Sequence, residues 1–440
     1  MLQKDKTIIA IGYYDDFARF FLEIKKDFYS DKNIKFYYLS LYLSGFLYFL
    51  ARFQKVTSIS LKACIKSLLK NKKYKNLLSI DSDAYKGFNL NDIVKYHLRL
   101  NPALEVKLKK QAMSYIDILE NSLNKIKPDY IILSGDSRMS IEILDKLASN
   151  KNIPTFHFEQ GPFGTTILDN KGVNANASFR NKLVVNKNLT VKEKQDKVNQ
   201  FFKRTRPSKY KRNSIYRGSD YIFQFLTKKI NLLPPDIILP SKPKVQKTIY
   251  KEIKENTNKV IESKRIFLLI LQVPEDVNMV YHSPFYDKHS DIVKDIYNNL
   301  PEGANLLVRE HPLYKGKYEQ ELYSFMVQKN IPLDQDGLYQ SIAQASVVIV
   351  NNSTVGIEAI SQLKSVVVLG HSYYDNDLIC LKLKEQSQLK EVLIKSINFK
   401  PNNEDVINFL FYFTQNILID GHFRDEKLIM APEIKKRVFA

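Results

Sequence analysis

The chain has 440 residues, 44% of them hydrophobic, with 67 Lys and Arg against 47 Asp and Glu, a formal net charge of +20. That length exceeds one ordinary core and predicts two domains, while two cysteines, Cys64 and Cys380, exclude a disulfide framework and suit a reducing compartment. The charge excess favours an anionic partner; no recognition motif or base-stacking spacing accompanies it, which argues against nucleic acid.

Met1–Lys6 lacks a signal-peptide pattern and leads into a strand-like run, Thr7–Ile11, followed by a helical pattern through Phe17, Phe20, Phe21 and Ile24. The most apolar stretch, Phe36–Leu50, falls short of the ~20 residues of a bilayer span and reads as a buried strand, then a helix. Ser58–Leu69 and Glu105–Ile126 have helical apolar spacing. Tyr130–Leu133 is a strand ending in Ser134-Gly135-Asp136, Ser140–Leu147 a helix, and Ile153–Phe158 another strand. Residues 159–180 read as irregular. Charged helical segments follow, with a dense basic cluster: Lys203, Arg204, Arg206, Lys209, Lys211 and Arg212. Pro234, Pro235, Pro240 and Pro243 mark a linker. A second alternation then runs through strands at Ile266–Leu271, Asn305–Val308, Val347–Val350 and Ser365–Leu369. Helices at Ile292–Leu300, Tyr318–Gln328 and Val355–Gln362 separate them. A last helix, Glu404–Leu418, is long enough to cross back.

Alternating strands and helices predict an α/β protein with two Rossmann-like, doubly wound domains. The expected boundaries are an N-terminal domain over 1–232, a linker over 233–262 and a second domain over 263–400. A C-terminal segment, 401–440, is expected to return to the first domain. Ligands of such sheets bind outside the carboxyl ends of the strands, and the chemistry-bearing motifs lie there.

Val308-Arg309-Glu310-His311-Pro312 ends a strand. Pro312 halts it, His311 can donate to a phosphate or carboxylate, and Arg309 adds fixed charge. Asn351-Asn352-Ser353-Thr354-Val355-Gly356 opens a helix, where free N–H groups and the Ser353 and Thr354 hydroxyls suit an anion; Gly356 allows close approach. Gln272-Val273-Pro274-Glu275-Asp276 leaves the first strand of the second half, and Phe158-Glu159-Gln160-Gly161-Pro162 ends a strand of the first. Glu159 and Asp276 are expected to face each other from opposite domains, as paired carboxylates at an anomeric carbon would. His282-Ser283, on the loop after Asp276, can bind a donor carboxylate. His157 reads as a core residue and His371 as a minor cleft candidate. Asp81-Ser82-Asp83, Asp334-Gln335-Asp336 and Asp375-Asn376-Asp377 are formal Asp-x-Asp pairs in turn-like contexts. They are expected to be solvated caps; neither metal nor cofactor is predicted.

Glu159 with Gly161, Gly172-Val173-Asn174, Gln272-x-x-x-Asp276, His282-Ser283, His311-Pro312 and Asn352-Ser353-Thr354-x-Gly356 occur in that order. The set, from Asp129 to Gly370, resembles the bacterial capsule-synthesis proteins that include the retaining β-Kdo transferases (Kdo is 3-deoxy-D-manno-oct-2-ulosonic acid). That resemblance implies a GT-B fold with its active site in the cleft between the halves. It also implies a CMP-Kdo donor and a capsule or lipopolysaccharide glycan or glycolipid acceptor. Asp276 then matches the nucleophile, Glu159 its acid/base or positioning partner, His311 the histidine near the CMP phosphate, and Gln272 the companion of Asp276. The sequence departs from those transferases at Gly161-Pro162-Phe163-Gly164, which leaves another CMP-nonulosonic acid open as donor. A CDP-glycerol-type phosphotransferase, a UDP-GlcNAc 2-epimerase and a non-catalytic anionic glycan-binding protein are the rival readings. A cytoplasmic placement is expected, with the basic cluster from Lys203 to Arg212 meeting anionic inner-membrane lipid.

Overall fold

The computed structural model describes residues 5–28, 34–100, 102–227, 247–257 and 265–440. The proline-rich linker signal and most of the expected 233–262 linker lie outside them. The chain divides into two compact units. The first comprises Met1–Ser178, Lys203–Pro240 and Asn416–Ala440, and the second Phe179–Phe202 and Ser241–Gln415.

Strands of the first unit are β1 (Lys6–Gly12), β2 (Ile34–Ser40), β3 (Val56–Ser58), β4 (Ala84–Tyr85), β5 (Phe88–Asn89), β6 (Tyr130–Ser134), β7 (Thr155–Gly161) and β8 (Thr165–Asp169). The second unit holds β9 (Ile266–Ile270), β10 (Asn305–Arg309), β11 (Val347–Val350), β12 (Ser365–Val368) and β13 (Leu381–Lys382); β14 (Leu418–Asp420) returns to the first.

The first unit's main sheet has the order β14-β8-β7-β6-β1-β2-β3. Pairing is parallel from β7 to β3 and antiparallel for β7–β8 and β8–β14. Both faces are covered, so β1 is a continuous apolar run. Ile9, Ile11, Ile131 and Leu133 enter one core, while Ile8, Ala10 and Ile132 enter the other with Phe20 and Phe21. The chain leaves β1 first toward β2 and β3, and later returns to β6 on its other side. That reversal makes a switch point at the carboxyl ends of β1 and β6.

Two features depart from the sequence reading. The run expected to be irregular contains β8, every residue of which is buried. The last crossing is made by β14 and the helix Ala431–Phe439, not by the helix Asn403–Tyr412, which stays with the second unit. Met430, Ile434 and Val438 complete the core beneath Phe20 and Phe28, an apolar face that the first unit needs covered. Residues 179–202 also join the second unit. Phe179 packs on Tyr373 and Phe413, and Lys194 Nζ donates to Asn408 Oδ1 at 2.7 Å.

The basic cluster forms a strap over the first unit. Arg204 pairs with Asp420 at 2.6 Å and donates to the Phe163 carbonyl. Lys209 meets buried Asp425 at 2.8 Å. Arg212 grips buried Asp15, with Nε donating to Oδ2 at 2.9 Å. Buried carboxylates must be paired, so much of this charge, expected from the sequence to meet anionic lipid, serves packing.

The second unit's sheet, β10-β9-β11-β12-β13, is parallel throughout. Val347, Val348, Ile349 and Val350 are all fully buried, which accounts for their unbroken apolar run. Here β9 lies between β10 and β11, so the switch point falls at the carboxyl end of β9.

His97 in the first unit is buried, and burial together with the nearby Arg138 charge depresses its pKa from 6.5 to about 3. The folded state therefore holds it neutral while the unfolded chain protonates it below pH 6.5. Stability should be full above that pH and fall by about 1.4 kcal/mol per unit on acidification towards pH 3. Urea unfolding of wild type and His97→Gln across pH 4–7 checks this: the variant should lose that component of the slope.

Candidate functional site

Four strand ends of the second unit build one crest. After β9, Leu271 N–H donates to the Arg309 carbonyl at 2.8 Å, which carries the β9–β10 pairing one residue past the strand. Buried Tyr318 then joins the two chain ends: the His311 N–H donates to its hydroxyl at 3.0 Å, and that hydroxyl donates to the Gln272 carbonyl at 3.1 Å. Gln272 and His311 are thereby held at adjacent strand ends.

Asp276 caps the helix Val277–Tyr281, one carboxylate oxygen accepting the Asn278 N–H at 2.9 Å. The cap fixes the carboxylate's direction at the crest. His311 caps the short 3-10 turn that Pro312 begins, and its Nδ1 accepts the Leu313 N–H at 3.3 Å. A neutral imidazole accepting at Nδ1 carries its proton at Nε2, so Nε2 is the donor it presents. Partial burial lowers the His311 pKa, and the Asp276 charge acts against that shift. The two residues, far apart in sequence, thus share one electrostatic site.

Asn352 closes the crest over β11. Its Nδ2 donates to the carbonyls of Asn278 at 3.0 Å and His282 at 3.1 Å, and its N–H points at Gln272 Oε1 at 3.5 Å. The His282 carbonyl also accepts the His371 N–H at 2.8 Å. Gly370 allows this convergence, since a Cβ there would lie 2.5 Å from the His282 oxygen. Gln272, Asp276, His282, His311, Asn352 and His371 are therefore brought together around the ends of β9, β10, β11 and β12.

Other predicted residues have different duties. Arg309 pairs with Asp334 and donates to the Asp336 carbonyl at 2.9 Å, so its charge is committed at the sheet edge. Glu310 is buried, accepting from Tyr250 at 2.7 Å, Gly316 at 2.8 Å and Tyr323. Ser283 donates its hydroxyl to the Tyr286 carbonyl. Ser353 Oγ accepts the Val355 N–H at 3.3 Å, and Thr354 is exposed. The close approach at Gly356 is made by buried Tyr374, whose ring carbon Cζ would lie 2.6 Å from an added Cβ.

The three Asp-x-Asp pairs are each engaged with basic side chains: Asp83 with Lys109, Asp334 with Arg309, Asp375 with Arg180 and Lys382. Among the described residues no three His, Cys, Asp or Glu side chains cluster as metal ligands. His371, Asp375, Lys382 and Lys384 line a cavity of about 570 Å³ in this unit.

The first unit has its own crest at the β1–β6 switch point. Glu159 lies one residue beyond the β6–β7 pairing, in the hairpin to β8. Its Oε1 accepts the Gln160 N–H at 2.8 Å, and its Oε2 lies 3.9 Å from where a Gly135 Cβ would stand. Gly161-Pro162-Phe163-Gly164 is the tight turn of that hairpin, with Phe163 and Gly164 at positive φ. Asp136 accepts the Val173 N–H at 2.8 Å and the Asn176 amide at 3.0 Å. Gly172 is small because Asp136 Oδ2 would lie 2.9 Å from its Cβ. The Gly172-Val173-Asn174 motif thus docks on the strand end Ser134-Gly135-Asp136. Arg138 lies over the Tyr13 and Tyr96 rings at 5.3 and 5.6 Å. Sequence reasoning did not single out Asp136, Arg138, Tyr318 or Tyr374. Asp136, as a carboxylate at a strand end, carried the same signal as Glu159; the others carried none.

Residues 129–391 match the family model described as capsule polysaccharide biosynthesis protein. Protein FixF of Sinorhizobium fredii is 29% identical over 170 residues, which span 37% of this chain and 40% of FixF; the match thus covers less than half of that relative. Similar solved structures include the β-Kdo 2,7 transferase of Thermosulfurimonas dismutans KpsC, at 14% identity and TM-score 0.34, covering 66% of this chain and 78% of that one. The UDP-GlcNAc 2-epimerase of Neisseria meningitidis is 12% identical at TM-score 0.34, covering 98% of this chain and 99% of that one. Superpositions this loose do not discriminate between activities.

Tyr374 supplies a test of the Gly356 position. Gly356→Ala should destabilise the second unit by about 1–3 kcal/mol through overpacking against that buried ring. Thermal unfolding of wild type and variant checks it. A lowered melting temperature is the expected result; an unchanged one would overturn the packing role of Gly356.

Proposed function

Because the chain belongs to the capsule polysaccharide biosynthesis family, we propose that it is a glycosyltransferase moving an ulosonic acid, Kdo first among them, from its CMP donor to a glycan or glycolipid acceptor of capsule or lipopolysaccharide. The observation that carries this reading is the shared crest of Asp276 and His311, an oriented carboxylate beside an imidazole with its proton at Nε2. One group suits an electrophilic sugar carbon and the other its departing phosphate.

In the first step Asp276 attacks C2 of the ulosonate. The C2–O bond breaks with its electron pair passing to CMP, whose phosphate accepts from His311 Nε2–H and from the Ser353–Thr354 loop. In the second, the acceptor hydroxyl displaces Asp276 and passes its proton to a base, the role that the resemblance suggests for Glu159, so the anomeric configuration is retained. Gln272 orients the donor beside Asp276 and His282 faces its acidic end, while Ser283, whose hydroxyl is given to the Tyr286 carbonyl, holds the loop. The turn at Gly161-Pro162-Phe163-Gly164 departs from the β-Kdo transferase pattern, which favours a CMP-nonulosonic acid as the second donor to test.

Incubation with CMP-Kdo alone, followed by intact-protein mass spectrometry, tests the scheme. Wild type should carry one ulosonate, Asp276→Asn none, and Glu159→Gln should accumulate the adduct. Asp276→Asn should lose about 10⁴-fold in turnover while still binding CMP, and His311→Ala about 10²–10⁴-fold. A fully active Asp276→Asn, or an inverted product by NMR, would end the double-displacement scheme. Turnover of UDP-GlcNAc or CDP-glycerol in place of CMP sugars would end the donor assignment.

A further inference from the structure

No acidic residue occurs between Asp31 and Asp81. Within that stretch the helices Ile59–Leu69 and Asn71–Ile80 follow the edge strand β3 of the first unit's sheet and carry Lys62, Lys66, Lys72, Lys73 and Lys75, with Lys70 between them. The first helix has two apolar faces. Ile59, Ala63 and Cys64 are buried against the core, which Tyr74 of the second helix completes. The other face leaves Ile65 53%, Leu68 55% and Leu69 80% exposed, and Ile80 at the end of the second helix is 83% exposed.

Lys62, Ile65, Lys66 and Leu69 follow the i, i+3, i+4, i+7 spacing of a single helical stripe. With Lys70 and Ile118 they line one shallow groove of about 250 Å³. The core does not require these apolar side chains, yet they sit outward among lysines. We propose that this face is a docking surface for an anionic phospholipid bilayer, with Leu68 and Leu69 entering the interface and Lys62, Lys70, Lys72, Lys73 and Lys75 meeting headgroup phosphates, while Lys66 is paired with Asp117 at 3.6 Å.

The charge complementarity is direct, because lysines near a negatively charged leaflet each add attraction that salt screens. The exposed leucines decide between two anionic partners. A soluble acidic polymer would use the lysines and leave the leucines in water, whereas a bilayer uses both. No helix among the described residues is long and apolar enough to cross a membrane, so contact through this face is interfacial. The strap from Lys203 to Arg212 is a poorer surface, since Arg204, Lys209 and Arg212 are held by Asp420, Asp425 and Asp15. Nothing in this surface depends on the identity of the donor sugar.

The chain contains no tryptophan, so Leu69→Trp makes a single reporter on an exposed site. With phosphatidylglycerol vesicles its emission should shift to the blue and be quenched by brominated acyl chains; with phosphatidylcholine vesicles neither should occur. In co-sedimentation of the full chain, Leu68→Ser/Leu69→Ser should weaken binding about tenfold or more. Lys70→Gln/Lys72→Gln/Lys73→Gln should weaken it about a hundredfold at low salt, roughly fivefold per lysine. Circular dichroism checks that both variants remain folded. Binding of heparin should be unchanged in the leucine variant. Unshifted emission, or vesicle binding lost with the lysines but indifferent to the leucines, would overturn the bilayer assignment and leave a plain polyanion surface.

Discussion

The amide of Asn352 is the constraint on which the second unit's crest depends. Its two N–H bonds reach one carbonyl in the first turn of the helix Val277–Tyr281, at Asn278, and one just past its end, at His282. Without it, the Asn278 carbonyl would keep only the His282 N–H and the His282 carbonyl only the His371 N–H, at a cost of about 0.5–1.5 kcal/mol per lost bond. Those bonds hold the segment after β9 against the segment after β11, and the His371 N–H ties in the end of β12 through the same His282 oxygen. Tyr318 does the equivalent work between β9 and β10. Asp276 and His311 are therefore directed by their own caps on segments that Asn352 and Tyr318 hold in place. A carboxylate and an imidazole held in this way need less reorganisation during reaction, which is the physical basis for preferring a catalytic reading of this crest.

The same distinction between charge that is used internally and charge that is offered outward organises the first unit. A net charge of +20 invites the assumption that the densest basic segment is the binding surface. Buried Asp15, Asp16 and Asp425 consume much of that segment, because a carboxylate taken out of water requires a partner. Lysines on the helices after β3 lie among exposed apolar side chains instead. Which charges face outward is thus set by the location of buried acids elsewhere in the chain; Asp15 and Arg212, for example, are 197 positions apart.

Periodicity alone determined most of the regular elements. Glu105–Ile126 and Val347–Val350 have the bounds that their apolar spacing predicts, and the parallel sheets follow from strands buried on both faces. The ordered motifs also carried the family signature, since short sequences at strand ends are local. β8 and β14 escaped because each is stabilised by its antiparallel neighbour: Thr165–Asp169 has no strong apolar alternation, and Leu418–Asp420 continues a helical pattern until it meets β8. Arg309 and His311 alternate along one segment and look equivalent, but Asp334 captures one while the other caps a turn near Asp276. Gly356 read as room for a phosphate, and the ring of Tyr374 fills that room. The sequence by itself determined which residues stand at the strand ends, because that depends on spacing along the chain. Only the tertiary structure decided which of them are occupied in packing and which share a site, because a buried polar group takes whatever partner the fold brings within reach.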